Sequence, residues 1–130
     1  MIESFGVKSS MTEELIDITE TVNTIVMRSS LTEGLCIIYT PHTTAAITIN
    51  ENADPSVRKD ILKGLHSLNF DQITFSHSEG NSPAHIKSSI IGCSETVLIE
   101  NGRLSLGTWQ GIYFCEFDGP RTRKVLVKII

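Results

Sequence analysis

Three of the four histidines in the 130-residue sequence lie where their imidazoles could meet at one metal ion. His77 is predicted to end a short strand and His85 to lie in the first turn of the next helix, so the loop between them can bring both rings together. His42, at a junction between two strands, could complete the set. Three neutral imidazoles with one open position are typical of catalytic Zn²⁺. The alternative is a loop histidine and a helix histidine that bond only to the backbone. His66 is predicted to be solvated near a helix C-terminus and is not counted as a ligand.

A second charged group occupies residues 116–123, whose sequence is Glu-Phe-Asp-Gly-Pro-Arg-Thr-Arg. Glu116 and Asp118 are predicted to share one face of a strand, and Arg121 and Arg123 to share one side of the chain after the Gly-Pro turn. Guanidinium groups bind phosphate or carboxylate through two parallel hydrogen bonds. The segment therefore predicts either an anion site or a salt-bridge network on the surface of a hairpin.

Further polar side chains are candidates for binding a substrate. Because a Ser-Pro pair begins the helix after His77, the first turn of that helix also offers free backbone N–H groups that suit an anion. The candidates near the histidines are Thr43, Thr44, Asn81 and Ser82. Trp109 and Gln110 lie between two glycines, which predicts close approach by a ligand or another backbone, or else a core tryptophan between two bends.

Short β-branched runs alternate with two or three helical patterns, and these elements must position the candidate residues. Asp54-Pro55 and Ser82-Pro83 each predict a helix start, Thr19 is predicted to cap an earlier helix, and Asn101-Gly102 predicts a hairpin turn. Strands are predicted over residues 14–18, 35–40, 44–50, 73–77, 96–100, 104–108, 111–118 and 124–130. The pattern is typical of an α+β fold, a single domain over residues 1–130. We expect a jelly-roll-like β-sandwich of two mostly antiparallel sheets with two or three short helices.

Composition and charge exclude several classes of protein. The 11 Lys+Arg against 15 Asp+Glu give a net charge of −4, whereas proteins that hold nucleic acid through its phosphates usually carry a basic surplus. The apolar stretches are too short to cross a bilayer and the first residues lack the pattern of a secretory signal, so we expect a cytoplasmic protein. Three cysteines without C-x-x-C spacing predict no disulfide framework, and we expect them to be inert on apolar strand faces. No nucleophile elbow, P-loop or dinucleotide fingerprint occurs.

Taken together, the motifs resemble those of the YjbQ family, a group of small bacterial and archaeal proteins. The resemblance runs from about residue 16 to the C-terminus and rests on His42-Thr-Thr, Asn50-Glu51, His77 with His85, Leu106-Gly-Thr-Trp-Gln and Glu116-x-Asp-Gly-Pro-Arg-x-Arg. It implies a β-sandwich-like α+β subunit assembled as a homotrimer. It also implies a weak thiamine-phosphate synthase activity, usually regarded as secondary, and it strengthens the expectation of a metal at the histidines.

The resemblance and the residues together predict one site that binds a divalent metal, most simply Zn²⁺, and a phosphorylated small molecule. The expected metal ligands are His42, His77 and His85. The expected phosphate ligands are Arg121, Arg123 and the helix start at Ser82. The carboxylates expected to orient a ligand or move a proton are Glu51, Glu116 and Asp118. Two alternatives remain open, namely a phosphometabolite-binding or regulatory trimer without physiological catalysis, and a metal-dependent hydrolase.

Overall fold

The computed structural model describes residues 1–68 and 70–130, and within those ranges it contains eight strands and three α-helices. The strands are β1 (Ile2–Lys8), β2 (Glu14–Asp17), β3 (Glu33–Tyr39), β4 (Ala45–Glu51), β5 (Ser94–Glu100), β6 (Arg103–Leu104), β7 (Gln110–Glu116) and β8 (Thr122–Ile129). The helices are α1 (Thr19–Arg28), α2 (Pro55–His66) and α3 (Ser82–Ile91), and a 3₁₀ turn covers Phe70–Gln72. In the described part of the chain, no helix is long and apolar enough to cross a membrane.

The strands form two antiparallel sheets that pack against each other. One sheet has five strands in the order β1-β8-β3-β5-β6, and the other has three in the order β2-β7-β4. The larger core lies between the sheets, and α1 adds Val22, Ile25 and Val26 to it. A smaller core lies on the outer face of the three-stranded sheet, where α2 and α3 cover it. The α+β sandwich that the sequence predicts is confirmed.

β7 is the central strand of the smaller sheet, and its alternating side chains serve both cores. Ile112 and Phe114 belong to the larger core, whereas Tyr113 and Cys115 belong to the core beneath α2 and α3. A strand that is covered on both faces carries apolar residues at successive positions, as β7 does from Ile112 to Cys115. Because β7 is buried from Gly111 onward, it also carries Glu116 at its end into the protein interior.

Two local signals in the sequence are confirmed. Asp54 caps α2, since its Oδ1 accepts a hydrogen bond from the Ser56 backbone N–H at 2.9 Å, and Pro55 is the first helical residue. Asn101 and Gly102 join β5 to β6 with φ angles of 52° and 75°. Positive φ at both central residues is what the tightest hairpin turn requires, and Asn-Gly adopts it readily.

Other predictions about the secondary structure are wrong. Residues 73–77 form an open loop rather than a strand, and Ile73 is 54% exposed there. The apolar pattern is short, and no described strand pairs with it, whereas a strand needs a partner for its backbone groups. The pattern also fails to predict β1, in which only Val7 is buried. Thr19 begins α1 instead of capping it, and β6 covers only two residues.

Candidate functional site

The predicted site residues fall into two groups at opposite ends of the three-stranded sheet. β4 and β7 run antiparallel, with Ala45 opposite Glu116 and Glu51 opposite Gln110. At about 3.3 Å per residue, this length of strand separates the two groups by about 20 Å. We name residues 40–45, 77–88 and 116–124 the histidine end, and residues 50–52 and 107–111 the tryptophan end.

A buried ion pair between Glu116 and Arg123 lies at the base of the histidine end. Arg123 Nε donates to the two carboxylate oxygens of Glu116 at 2.9 and 3.1 Å, and Nη2 also contacts Oε2. Nη2 donates as well to Thr44 Oγ1 at 2.8 Å, and Ser9 Oγ donates to Glu116 Oε1 at 2.7 Å. Glu116 is completely buried and Arg123 is 4% exposed. The pair therefore ties together β7, β8, the loop after β1 and the residue that precedes β4.

Glu116 is held in its ionised form. Its burial alone would raise its pKa, but hydrogen bonds from Arg123, Ser9 and the Asp118 backbone N–H outweigh burial and hold the pKa of Glu116 below its ordinary value. Both carboxylate oxygens are engaged, so the geometry gives Glu116 a positioning role. Among the described residues, Arg123 Nη1 makes no hydrogen bond, and a phosphate contact by Arg123 would have to use that nitrogen.

His42 has a backbone partner of its own. Its Nε2 accepts a hydrogen bond from the Lys124 N–H at 2.9 Å, and Thr40 Oγ1 donates to the Lys124 carbonyl at 3.3 Å. β3 pairs with β8 only as far as Tyr39. Beyond that residue, the side chains of His42 and Thr40 supply the hydrogen bonds that the backbone of a longer β3 would give to β8. A neutral imidazole that accepts at Nε2 carries its proton on Nδ1, so neither nitrogen is free for a metal in this arrangement. Burial, followed by the positive charge of Arg123, lowers the pKa of His42, which agrees with a neutral ring.

The structure brings His77 and His85 together, as their spacing predicts. The ring centroids lie 5.4 Å apart, and the ring planes meet at 89°. Two imidazoles that bind one tetrahedral ion at about 2.1 Å place their centroids about 5 Å apart. The separation therefore fits two ligands of one metal ion. Glu79 Oε2 lies 3.9 Å from His77 Nε2, but within the described residues no three His, Cys, Asp or Glu side chains form a metal-binding group.

Asp118 links the turn after β7 to the start of α3. Its Oδ2 accepts hydrogen bonds from Arg121 Nη2 at 3.0 Å and from Asn81 Nδ2 at 2.8 Å. The Arg121 side chain is 50% exposed, which leaves guanidinium donors available to an anion. Arg123 is buried, so the two arginines that the sequence predicts to act together have different environments. Asn81 occupies the N-cap position of α3, but its side chain makes no capping hydrogen bond.

The hydroxyl residues that are predicted to bind a substrate also differ in their exposure. Thr43 is exposed and lines a hollow of about 500 Å³ together with His85, Ser88 and Cys93, so a predicted substrate ligand lies near a predicted metal ligand. Thr44 is buried, and its hydroxyl is occupied by Arg123. Ser82 is partly buried in the first turn of α3. Thr43 and the α3 start therefore remain accessible to a ligand, whereas Thr44 serves the buried network.

At the tryptophan end, Trp109 is 62% exposed in the loop before β7. Its carbonyl accepts a hydrogen bond from the Asn52 N–H at 3.0 Å, and Gln110 Oε1 accepts one from the Gly107 N–H at 2.8 Å. Glu51 ends β4 beside this loop and is partly buried. An exposed indole on a loop held by hydrogen bonds favours contact with another molecule, because the ring loses little freedom on binding.

Two buried residues at or near the histidine end, Ser9 and Lys87, make contacts that the sequence does not predict. Ser9 is 3% exposed, and its hydroxyl donates to Glu116 and accepts from the Arg121 N–H. Lys87 is buried, and its Nζ donates to Glu13 at 2.8 Å. A lysine on the buried face of an amphipathic helix was the available signal for Lys87. Ser9 had no such signal, because it lies 107 residues from its partner.

The cysteines are free, as predicted. Burial raises the pKa of Cys36 to about 11 and that of Cys115 to about 12, so both thiols stay protonated and unreactive at neutral pH. Cys93 is exposed in the hollow beside His85, so the expectation of an apolar strand face is wrong for this residue.

Comparison with known proteins gives a consistent result along the whole chain. Residues 3–130 match the family model described as UPF0047 protein YjbQ-like. A UPF0047 protein of Methanocaldococcus jannaschii is 53% identical over 130 residues, which is 100% of this chain and 94% of that protein. The UPF0047 protein YugU of Bacillus subtilis is 50% identical over 131 residues, which is 100% of this chain and 99% of that protein.

Solved structures are similar over the same length. An uncharacterised YjbQ/UPF0047 family protein from Clostridium acetobutylicum has a TM-score of 0.95 at 53% identity and covers 98% of this chain and 99% of its own. A YbjQ-like protein of unknown function from Sulfolobus solfataricus has a TM-score of 0.93 at 32% identity and covers 99% of this chain and 95% of its own. The motifs, the sandwich and these similarities agree, and the chain belongs to the YjbQ-like UPF0047 family.

Proposed function

We propose that this protein is a homotrimer that binds a divalent metal ion and a phosphorylated small molecule at the histidine end, and that it catalyses a transfer of the thiamine-phosphate synthase type. In that reaction a thiazole phosphate nitrogen attacks the methylene carbon of an aminopyrimidine methyl pyrophosphate. The C–N bond forms as the C–O bond breaks, and pyrophosphate leaves with the bonding electrons. The observation that carries the proposal is the His77–His85 pair, with its centroid separation of 5.4 Å.

His77 and His85 are the proposed metal ligands, and a Zn²⁺ ion there would supply positive charge to stabilise the leaving pyrophosphate. Two protein ligands are fewer than the three or four that zinc sites usually have. His42 can be the third only if its Nε2 gives up the Lys124 N–H. Glu79 Oε2 lies 3.9 Å from His77 Nε2, which is beyond hydrogen-bond distance, so Glu79 would orient that ring only after a small movement.

Arg121 is the proposed phosphate ligand. Asp118 fixes one edge of its guanidinium at 3.0 Å, and the remaining donors are accessible on a side chain that is 50% exposed. A guanidinium held in this way loses little freedom when it binds an anion through two hydrogen bonds. Arg123 supports this arrangement indirectly. Its partner Glu116 also accepts a hydrogen bond from the Asp118 N–H at 3.1 Å, which helps to fix the position of Asp118.

A second copy of the chain is the proposed source of the missing site residues. Trp109, Gln110 and Glu51 lie about 20 Å from the histidine end along the same sheet, too far to act there in one subunit. A head-to-tail contact around a threefold axis would bring the tryptophan end of one copy to the histidine end of the next. The outer face of the five-stranded sheet supports assembly, because Ile2, Tyr39 and Leu98 are exposed on its strands.

The competing proposal is a phosphometabolite-binding or regulatory trimer without physiological catalysis. It is favoured by Glu116, whose carboxylate is fully engaged and is therefore unavailable to move a proton at a ligand. A hydrolase would use the same metal and phosphate ligands and differs only in its acceptor, which would be water.

Metal analysis tests the observation on which the proposal rests. Purified protein is expected to bind close to one Zn²⁺ per chain, and His77→Ala and His85→Ala are expected to lose it. His66→Ala is the matched control, because this exposed histidine lies outside the pair. His42→Ala decides whether His42 is a third ligand. Unchanged zinc content in both the His77 and His85 variants contradicts the metal site.

Turnover and assembly are tested on the same metal-loaded protein. Thiamine phosphate formation from the two substrates is expected, and its loss on zinc removal supports the transfer reaction. Tight pyrophosphate binding without turnover on any of a panel of phosphorylated metabolites favours the binding protein instead. Light scattering is expected to give three times the chain mass, and a stable monomer at micromolar concentration contradicts the shared site.

A further inference from the structure

A cavity of about 500 Å³ opens where the end of α1 lies against the first residues of β1 and the last residues of β8. This volume falls within the range of about 300–1,000 Å³ that is typical of small-molecule sites. Its apolar walls are supplied by Ile25, Leu31, Val127 and Ile129. Val127 and Ile129 lie four and six residues along β8 from Arg123, which places the cavity about 13–20 Å from the histidine end.

One acidic and one basic side chain line the opening of this cavity. Glu3 is opposite Val127 in the pairing of β1 with β8, so its side chain lies on the same inward face of the sheet as that buried valine. Arg28 is in the last turn of α1, and its Nη2 donates to Glu3 Oε2 at 2.9 Å. The Arg28 side chain is 62% exposed and that of Glu3 is 40% exposed, so a ligand can reach both.

This pair keeps hydrogen-bonding groups that it does not use itself. Among the described residues, Glu3 Oε1 accepts no hydrogen bond, and Arg28 Nε and Nη1 donate none. A ligand ammonium can therefore donate to Glu3 while a ligand carboxylate accepts from Arg28, and the contact between the two side chains need not break. Where it does break, the loss is small, because an exposed ion pair contributes only about 0–1 kcal/mol.

The balance of charge favours a ligand that carries both signs. An anion that approaches Arg28 also meets the negative charge of Glu3, and a cation that approaches Glu3 also meets Arg28. Met1 and Ile130 line the cavity as well, and in this chain their terminal groups add one charge of each sign. A zwitterion with its ammonium and carboxylate on one carbon satisfies both partners, and an apolar side chain on that carbon can enter the cavity.

We propose that this cavity binds a free α-amino acid with a large apolar side chain. Its carboxylate binds Arg28, its ammonium binds Glu3, and its side chain packs among the apolar wall residues. This site lies apart from the proposed metal and phosphate ligands and needs neither zinc nor turnover. Its test therefore does not depend on the proposed function.

Phenylalanine, phenethylamine and 3-phenylpropionate are suitable probes, because they share one ring and differ in their charged groups. The purified protein is titrated with each by calorimetry. Phenylalanine is expected to bind at one site per chain and about tenfold or more tightly than either singly charged analogue. Alanine has the same charged groups without the ring and is expected to bind about tenfold or more weakly than phenylalanine. No saturable binding of phenylalanine at millimolar concentration, or equal affinity for any of the other three compounds, overturns the proposal.

Two variants with a single lost charge locate the binding. Glu3→Gln is expected to weaken phenylalanine binding about tenfold and to leave 3-phenylpropionate binding no weaker. Arg28→Gln is expected to weaken phenylalanine binding by a similar factor and to leave phenethylamine binding no weaker. Glu20→Gln and Arg103→Gln are the matched controls, because both residues are exposed and lie outside the cavity, and they are expected to change no affinity.

A different role for Glu3 gives a different result. β1 is an edge strand, and a charge on the inward face of such a strand can serve only to prevent its pairing with another chain. In that case Glu3→Gln leaves phenylalanine binding unchanged. Unchanged phenylalanine affinity in Glu3→Gln or in Arg28→Gln, with the fold of each variant verified by circular dichroism, overturns the proposal.

Discussion

Removing one partner of the Glu116–Arg123 pair leaves the other as an isolated charge in the interior. Glu116 is fully buried and Arg123 is 4% exposed, so water reaches neither charge to compensate. Breaking a buried pair in this way costs about 3–5 kcal/mol. Single domains have about 5–15 kcal/mol of stability in total, so the loss is a large share. We therefore expect Glu116→Leu and Arg123→Met each to lower the free energy of unfolding at neutral pH by about 3–5 kcal/mol.

Urea unfolding followed by far-UV circular dichroism measures this loss, at one protein concentration because assembly couples to stability. Fluorescence is a weaker readout, since Trp109 is 62% exposed in the folded chain. The double variant leaves no buried charge and is expected to cost about 2 kcal/mol less than the sum of the two single losses. Single losses below about 1 kcal/mol, or strict additivity in the double variant, would refute the reasoning.

The stability that Glu116 contributes depends on pH in a definite direction. The folded-state pKa of Glu116 lies below its ordinary value of 4.5, because its hydrogen bonds outweigh its burial. Its contribution to stability is therefore complete above that value and is lost as the pH falls through the folded-state pKa. We expect the stability difference between wild type and Glu116→Leu to be constant near neutral pH and to shrink on acidification. A difference that grows in acid contradicts an ionised, hydrogen-bonded Glu116.

Three further predictions concern the same fold. Gly119→Ala is expected to lower the urea midpoint strongly, because a Cβ there would lie 2.4 Å from the Met11 carbonyl oxygen; an unchanged midpoint contradicts this packing. Gly102→Ala is expected to cost only about 1 kcal/mol, since its φ of 75° is strained for alanine but a Cβ there would meet only the Leu31 carbonyl oxygen, at an ordinary 3.9 Å; a loss as large as that of Gly119→Ala contradicts the comparison. In an NMR titration, the His42 imidazole is expected to protonate below 6.5, because burial lowers its pKa, and a higher midpoint contradicts the hydrogen bond from Lys124.

Much of the fold follows from signals that span only a few residues. Alternation over residues 111–118 predicts β7, a cap residue and a proline predict the start of α2 at Asp54-Pro55, and a proline in the first turn marks the start of α3, where Ser82 is the first helical residue and not the cap. Residues 73–77 have a strand-like pattern as well, but a strand exists only where a neighbouring strand accepts its backbone hydrogen bonds. Periodicity reports the pattern of one segment and carries no information about its neighbour.

The candidate site shows the same division between local and distant causes. His77 and His85 meet because one loop and one helical turn connect them, and their spacing predicts this. Arg121 and Arg123 are two residues apart, yet only Arg123 is buried. Arg123 lies in β8 on the face that buries Val125 and Val127, whereas Arg121 lies in the turn before that strand. The partners that hold the buried pair include Ser9, whose hydroxyl reaches Glu116 across 107 positions of sequence and also accepts from the Arg121 N–H. A contact of such range has no signature in the residues on either side of it.

The antiparallel register of β4 and β7 has a further consequence for any chemistry in this family. Because Ala45 is opposite Glu116 and Glu51 is opposite Gln110, no side-chain rotation can bring Trp109 to the histidine end of its own subunit. A cyclic assembly with head-to-tail contacts removes this separation, since every copy then donates one end and receives the other. In the proposed trimer, three composite sites arise, and a mixture of His85→Ala and Trp109→Ala chains would regain some intact sites. In that proposal, two histidines from one copy and an indole from the next would serve one function.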